Sequence, residues 1–310
     1  MIPLRLIFAG SGEFGLPTLR ALVSAGHELV RVYSQPDRPA GRGRKLLPTP
    51  IAQAALDHDW PLVRTANINT ETIPNADLLV VIAFGQKISE PVVHRPRLGA
   101  INLHASLLPR HRGAAPINQA ILSGDTVTGN SVIRMAPRMD AGAILGQVRT
   151  PIGETETAGE LHDRLAGEGV ELMLRTIQKL AEGRAVETAQ DESMATLAPK
   201  LSRASTRLNF DRSADEICRQ VRGLYPWPGC RVRTLDSSGK ELARLVLATA
   251  RMRLDVQGHP GVIDSSGRVG TADGAIEILS CQPEGGRRMT LAEYRNGHPW
   301  PAGGRLESIL

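Results

Sequence analysis

The 310-residue sequence contains only three cysteines, Cys218, Cys230 and Cys281. They lie far apart, form no CxxC pair and leave at least one without a mate. This argues against a disulfide framework and a structural zinc site, and it fits a reducing cytoplasm. HxxxH spacing is missing too, so no metal is expected. No apolar run approaches the roughly 20 residues of a membrane-spanning helix, so no membrane partner is expected. The opening MIPLRLIFAG runs straight into a glycine turn without a small-residue cleavage pattern, so it reads as a first strand and not as a secretory signal. Internal repeats and low-complexity tracts are also lacking.

What remains is the composition of an ordinary soluble protein, 41% hydrophobic and 22% charged, and a length that favours two compact units over one. The formal net charge is +5. Residues 1–199 carry 20 Lys or Arg against 20 Asp or Glu, and residues 200–310 carry 17 against 12. The excess therefore sits in the last third and suggests a polyanionic partner there, although charge alone leaves an inert basic surface equally open.

The first two hundred residues alternate strand-like and helix-like patterns, the mark of βαβ units around a mostly parallel sheet. Strands are expected from Leu4 to Ala9, Glu28 to Ser34, Asp77 to Ala83 and Ala100 to Leu103. Helical spacing runs from Phe14 to Ala25, with Pro17 tolerated in the first turn, and from Pro48 to His58. Further strands from Ser131 to Met135 and Ala143 to Val148 precede a long amphipathic helix from Thr157 to Ala181. Residues 1–187 thus read as one α/β domain. Residues 188–206, rich in Ala, Ser and Thr and without a period, read as a linker. In residues 207–310, Ser213 and Glu216 have capping-box spacing for a short helix. Strand-like runs then follow from Arg231 to Leu235, Glu241 to Met252, Gly261 to Ile263 and Ala275 to Cys281, suggesting a small antiparallel barrel.

Several motifs invite a chemical reading. Gly10-Ser11-Gly12-Glu13-Phe14-Gly15 matches G-x-G-x-x-G between a strand and a helix, yet the next strand ends Tyr33-Ser34-Gln35 without the acid that would hold a ribose. A plain tight turn explains it better than a nicotinamide site, and no NAD is expected. The segment from Ser34 to Lys45 gathers Arg38, Arg42, Arg44 and Lys45 among two prolines and two glycines. Such a loop at the carboxyl end of a parallel strand suits phosphates, or is simply solvated. Asn102 and His104 stand two apart at a strand end, so they share one face, where an amide and an imidazole suit a developing oxyanion. Asp140, between Met139 and Gly142, is the leading partner for that imidazole. Taken alone, such an Asn-x-His pair is more often incidental than catalytic.

The string from His104 to Arg110, followed by Arg112-Gly113-Ala114-Ala115-Pro116, resembles the signature of the 10-formyltetrahydrofolate-dependent formyltransferases, and most of all of those that act on methionyl-tRNA. The SQPDRPAGRGRK loop, Ala198-Pro199-Lys200-Leu201-Ser202 and Pro226-Trp227-Pro228-Gly229 match the same group, so the resemblance spans nearly the whole chain. It implies a doubly wound Rossmann-like domain followed by an OB-like barrel that binds tRNA. It further implies catalytic roles for Asn102, His104 and Asp140, and folate binding by Ser106, Leu107, Leu108 and Pro109. Initiator tRNA would meet Arg38, Arg42, Arg44 and Lys45. The family often has Trp where His111 stands, so His111 receives no catalytic role. The expected reaction moves a formyl group from 10-formyltetrahydrofolate to the amine of methionyl initiator tRNA, in a monomeric cytoplasmic enzyme. The rivals are a formyltransferase acting on a small amine, a nicotinamide-dependent dehydrogenase built on Gly10, Gly12 and Gly15, and a noncatalytic nucleic-acid-binding module.

Overall fold

A computed structural model describes residues 2–40 and 45–310. They divide into two compact units. The first comprises the chain up to Pro116, Thr128–Thr150 and His162–Ala198, and the second comprises Ile117–Val127, Pro151–Leu161 and Pro199–Leu310. The division is therefore not one cut within residues 188–206. Residues 188–198 are built into the first unit, and two earlier segments belong to the second.

The strands of the first unit are β1 (Arg5–Gly10), β2 (Glu28–Ser34), β3 (Arg38–Ala40), β4 (Lys45–Leu47), β5 (Leu62–Arg64), β6 (Leu78–Ile82), β7 (Ala100–His104), β8 (Arg112–Gly113), β9 (Val127–Arg134), β10 (Ile144–Pro151) and β11 (Leu197–Ala198). Seven of them form one sheet in the order β10-β9-β7-β6-β1-β2-β5. Its pairs β1 with β2, β1 with β6, β2 with β5 and β6 with β7 are parallel. Crossovers containing α1 (Leu16–Ser24), α2 (Pro50–Asp57) and α3 (Glu90–Val93) force that direction. The strand β6, LLVVI, is buried at every residue, as expected of a strand covered on both faces. At the other side β9 lies antiparallel to β7. Chain order reverses about β1, so the carboxyl ends of the parallel strands form the crevice where such sheets receive ligands.

Next come α4 (Pro116–Leu122) and α5 (Ala158–Ala181). The α5 start is capped reciprocally: Glu160 N–H donates to Thr157 Oγ1 and Thr157 N–H donates to Glu160 Oε2. Gly169 of α5 meets Leu103 so closely that a Cβ would stand 2.7 Å from Cδ2. The helix thus covers the Leu103 face of β7, opposite Asn102 and His104. Among the described residues no helix is long and apolar enough to cross a membrane.

In the second unit Ser213 and Glu216 form the expected capping box at the start of α6 (Ala214–Gly223). The strands are β12 (Cys230–Leu235), β13 (Glu241–Arg253), β14 (Val269–Gly270), β15 (Ala275–Pro283), β16 (Met289–Thr290) and β17 (Arg305–Ile309), with α7 (Leu291–Arg295) before the last. The sheet runs β14-β15-β13-β12-β17, with β16 on β15. Its two edges meet through Gly261–Ile263, where Val262 bridges Arg305 and Ile263 bridges Val269. This closes the barrel and leaves no long unpaired edge. Gly261–Ile263 is a pair of bridges and not the regular strand expected, whereas β17 and α7 have no counterpart in the expectations. Ile217, Val221, Cys230, Leu247, Ile276 and Tyr294 lie in the core.

Candidate active site

The glycine turn after β1 is explained by packing. A Cβ on Gly10 would stand 2.7 Å from the Phe8 ring and 2.8 Å from the Ile82 carbonyl oxygen. The N–H groups of Ser11 and Gly12, which a dinucleotide fold would aim at a pyrophosphate, both donate to the Ala83 carbonyl. Asp37, beyond the end of β2, accepts both bonds of an ion pair from Arg64.

The end of β7 is arranged differently. Ile101 and Leu103 are buried on one face, and Asn102 and His104 alternate with them on the other. Asn102 is partly buried. His104, only 6% exposed, faces an acceptor at each ring nitrogen. Its Nε2 lies 2.9 Å from the His111 carbonyl oxygen, and its Nδ1 lies 3.7 Å from Asp140 Oδ2. A carbonyl can only accept, so Nε2 carries a hydrogen.

Asp140 sits in the loop between β9 and β10 with φ 52°, a conformation that costs a non-glycine residue energy unless its surroundings enforce it. The enforcement is visible. Gly113 N–H donates to Asp140 Oδ2 at 2.9 Å, and the side-chain amide of Gln190 donates to the carbonyls of Asp140 and Gly142, each at 2.8 Å. A Cβ on Gly142 would overlap the Arg134 carbonyl oxygen. Gly113 is likewise confined, with φ 129°, beside Ala198, its partner in the β8–β11 bridge.

Ser106 to Pro109 follow β7 directly. Ser106 Oγ donates to the Arg110 carbonyl at 2.6 Å. From β9, the fully buried Ser131 donates to the Ser106 carbonyl and accepts the Leu108 N–H. From β10, Gln147 donates to both the Leu108 carbonyl and Ser131 Oγ. The Leu108–Pro109 bond is cis. The loop is thus held by its backbone, and Leu107 remains partly exposed.

Of the basic loop, Arg38 and Lys45 are described and exposed, on the short hairpin β3–β4. Arg38 donates to Gln35 Oε1. Arg42 and Arg44 lie outside the described residues. In the second unit, Arg233, Arg244, Arg253, Arg268 and Arg288 are committed to ion pairs with acids. A cavity of about 790 Å³, lined by Arg207, Arg212, Glu216 and Arg219 among others, lies in the second unit and includes none of the residues around His104. Among the described residues no three His, Cys, Asp or Glu side chains stand together as a metal site requires.

The structure therefore joins Asn102, His104 and the Ser106–Pro109 loop through one strand end, and adds Asp140 across the sheet. It also shows three contributors that the sequence pattern did not reveal. These are the His111 carbonyl, Arg112 and Gln190; His111 takes φ 60°, and its N–H donates to Thr196 Oγ1 at 2.9 Å. No local periodicity marks such residues, because each acts across a loop.

Residues 4–177 match the family model described as formyl transferase, and residues 200–299 match that of the formyl transferase C-terminal domain. The chain belongs to the formyltransferase family. Among curated formyltransferases, the methionyl-tRNA formyltransferase of Methylococcus capsulatus is 41% identical over 98% of this chain and 99% of its own length. That of Pseudomonas syringae pv. tomato is 41% identical over 95% of each. The fold is also that of WlaRD, a sugar 3N-formyl transferase whose structure was solved with dTDP and 5-N-formyl-THF. That match has a TM-score of 0.66 at 17% identity, covering 90% of this chain and 97% of the other.

Proposed function

We propose that this formyltransferase moves the formyl group of 10-formyltetrahydrofolate to the α-amine of methionine esterified to initiator tRNA. The observation that carries the reading is identity of about two residues in five, end to end, with enzymes named for that acceptor. The site residues fit a formyl donor. Among the described residues the Asn102 amide has no hydrogen-bond partner, so a donor is available at the strand end, beside a loop whose backbone is already tied down.

In this mechanism Asn102 donates to the formyl oxygen as the attacking amine places negative charge on it, and His104 stabilises the same charge from beside it. Asp140 keeps His104 oriented and helps carry away the proton that the amine loses. Attack forms the new carbon–nitrogen bond and a tetrahedral intermediate; its collapse restores the carbonyl and breaks the bond from the formyl carbon to N10, which takes up a proton. Preorganised donors of this kind contribute roughly 3–4 kcal/mol each in acyl transfer. Ser106 to Pro109 form the wall for the folate.

The acceptor would be held through its phosphates by Arg38, Arg42, Arg44 and Lys45. In the second unit the exposed Lys200, Arg203 and Arg207 add positive charge that no ion pair among the described residues neutralises. The enzyme is taken to be cytoplasmic, monomeric and independent of metal, so activity should survive chelators. A dehydrogenase is disfavoured because the Ser11 and Gly12 amides are already bonded.

The test is to incubate the protein with 10-formyltetrahydrofolate and charged initiator tRNA and look for formylmethionine by mass. Formylation of a small amine with no product on tRNA would overturn the acceptor assignment.

A further inference from the structure

Residues 188–198 fall in the expected linker 188–206, but together with Glu187 they form a strap across the first unit. Thr188 exchanges both backbone bonds with Ile144 at 2.8 and 2.9 Å. Glu187 pairs with Arg134 at 2.8 Å, and Leu197–Ala198 pair with Arg112–Gly113. The strap therefore touches both segments that meet at His104: the β9–β10 loop carrying Asp140, and the segment from His111 to Gly113.

At its centre the side chains form a chain of hydrogen bonds and ion pairs. Arg112, 3% exposed, gives Nε and Nη2 to Gln190 Oε1 at 3.0 and 2.7 Å. It gives Nη1 and Nη2 to the two carboxylate oxygens of Glu192 at 3.0 and 2.9 Å. Arg138 closes on Glu192 from outside at 2.6 Å. Gln190 then spends both amide hydrogens on the Asp140 and Gly142 carbonyls. No regular ladder runs through the loop at Asp140. The Ala141 N–H closes its turn on the Arg138 carbonyl at 3.2 Å, and the two Gln190 bonds and the Gly113 amide on the carboxylate tie that turn to the strap and to the segment at His111.

We propose that Gln190 is a positioning residue for Asp140, with Arg112 fixing which way its amide faces. The inference rests on the catalytic reading of Asp140. It explains why an amide is needed at this point: the position must accept from a guanidinium and donate to two carbonyls at once, which neither a carboxylate nor an aliphatic chain can do. Without the two bonds the Asp140 carboxylate loses its fixed approach to His104 Nδ1, and small displacements of a catalytic group are costly to turnover.

The experiment is a double-mutant cycle on the full chain, measuring kcat for formylation of methionyl-tRNA together with folate binding and the melting midpoint. Gln190→Glu keeps the shape and the Arg112 contact but removes both donors. It should lower kcat about tenfold or more and leave folate binding within about twofold. In an Asp140→Asn background the same change should cost less than about twofold, because the residue through which it acts is already disabled. The pH profile of Gln190→Glu should move toward that of Asp140→Asn. If Gln190→Glu does not fold, Gln190→Met, which lacks all the polar atoms, takes its place in the same cycle. Equal losses in the two backgrounds, or no loss in the first, would overturn the positioning role and leave the catalytic reading intact. A silent Asp140→Asn would overturn both.

Discussion

His104 Nδ1 and Asp140 Oδ2 lie 3.7 Å apart, although one residue ends a central strand and the other sits in a loop between the two strands at the sheet's edge. Their approach is set by the Gly113 amide, which takes the same Asp140 oxygen at 2.9 Å, and by the His111 carbonyl, which holds the other side of the ring. The imidazole is thus bonded at Nε2 and faces a fixed carboxylate at Nδ1, and beside it stands Asn102, whose amide has no hydrogen-bond partner among the described residues.

This division of roles makes the kinetic signatures separable. Asn102→Ala and His104→Ala should each lower kcat by about 10²–10³-fold. The affinity for 10-formyltetrahydrofolate should stay nearly unchanged, because both residues act on charge that develops after binding. Steady-state kinetics with equilibrium folate titration checks this. Near-normal turnover in His104→Ala would sink its assigned role.

Binding of tRNA should weaken with salt, and each phosphate contact should contribute about 0.7–0.9 to the slope of log affinity against log salt. Removing Arg42 together with Arg44, or Arg38 together with Lys45, should reduce that slope while leaving folate binding alone. An unchanged slope would mean that those cations do not touch phosphate.

Gly142→Ala should cost at least about 2 kcal/mol of stability, because its Cβ would meet the Arg134 backbone and not a movable side chain. The displaced loop carries Asp140, so turnover of the folded fraction should fall too. Urea denaturation and single-turnover kinetics measure the two effects. Wild-type values for both would show that the loop yields without consequence.

The three thiols give a pH test. Burial pushes Cys218 and Cys230 up to about 12 and Cys281 up to about 11, from an ordinary value of 9.0. Below pH 9 folded and unfolded chains both keep these protons, and the thiols contribute nothing to pH dependence. Above it the unfolded chain releases protons that the folded chain retains, so stability should fall as pH rises from 9 toward 11. At pH 8 the native protein should leave a thiol reagent unreacted, whereas the denatured chain should react at three sites. Rapid native labelling would contradict the burial.

Much of this architecture was legible before the fold was known. The strand from Ala100, the helix ending at Ala181 and the capping box at Ser213 follow from periodicity and local hydrogen bonding, which operate within a few residues. β17 and α7 were not legible, because Arg305–Ile309 is a short strand with a weak apolar pattern and gains its pairing only from β12 and the bridge at Val262. The supposed linker was misread for a related reason. Its polar side chains have no period because each is placed by its own partner: Gln190 and Glu192 bond Arg112, Gln190 also bonds the Asp140 and Gly142 carbonyls, and Thr196 bonds His111.

By itself the sequence determined the class of chemistry. A strand places Asn102 and His104 on one face whatever surrounds it, and the strings around them carry the family's signature. The tertiary structure alone decided how that pair becomes a site. Asp140 reaches His104 because β9 packs beside β7 and the following loop is forced into a left-handed turn. That turn is held by Gly113 and Gln190, residues distant in the chain, whose hydrogen bonds depend on where folding brings them and not on their neighbours in sequence.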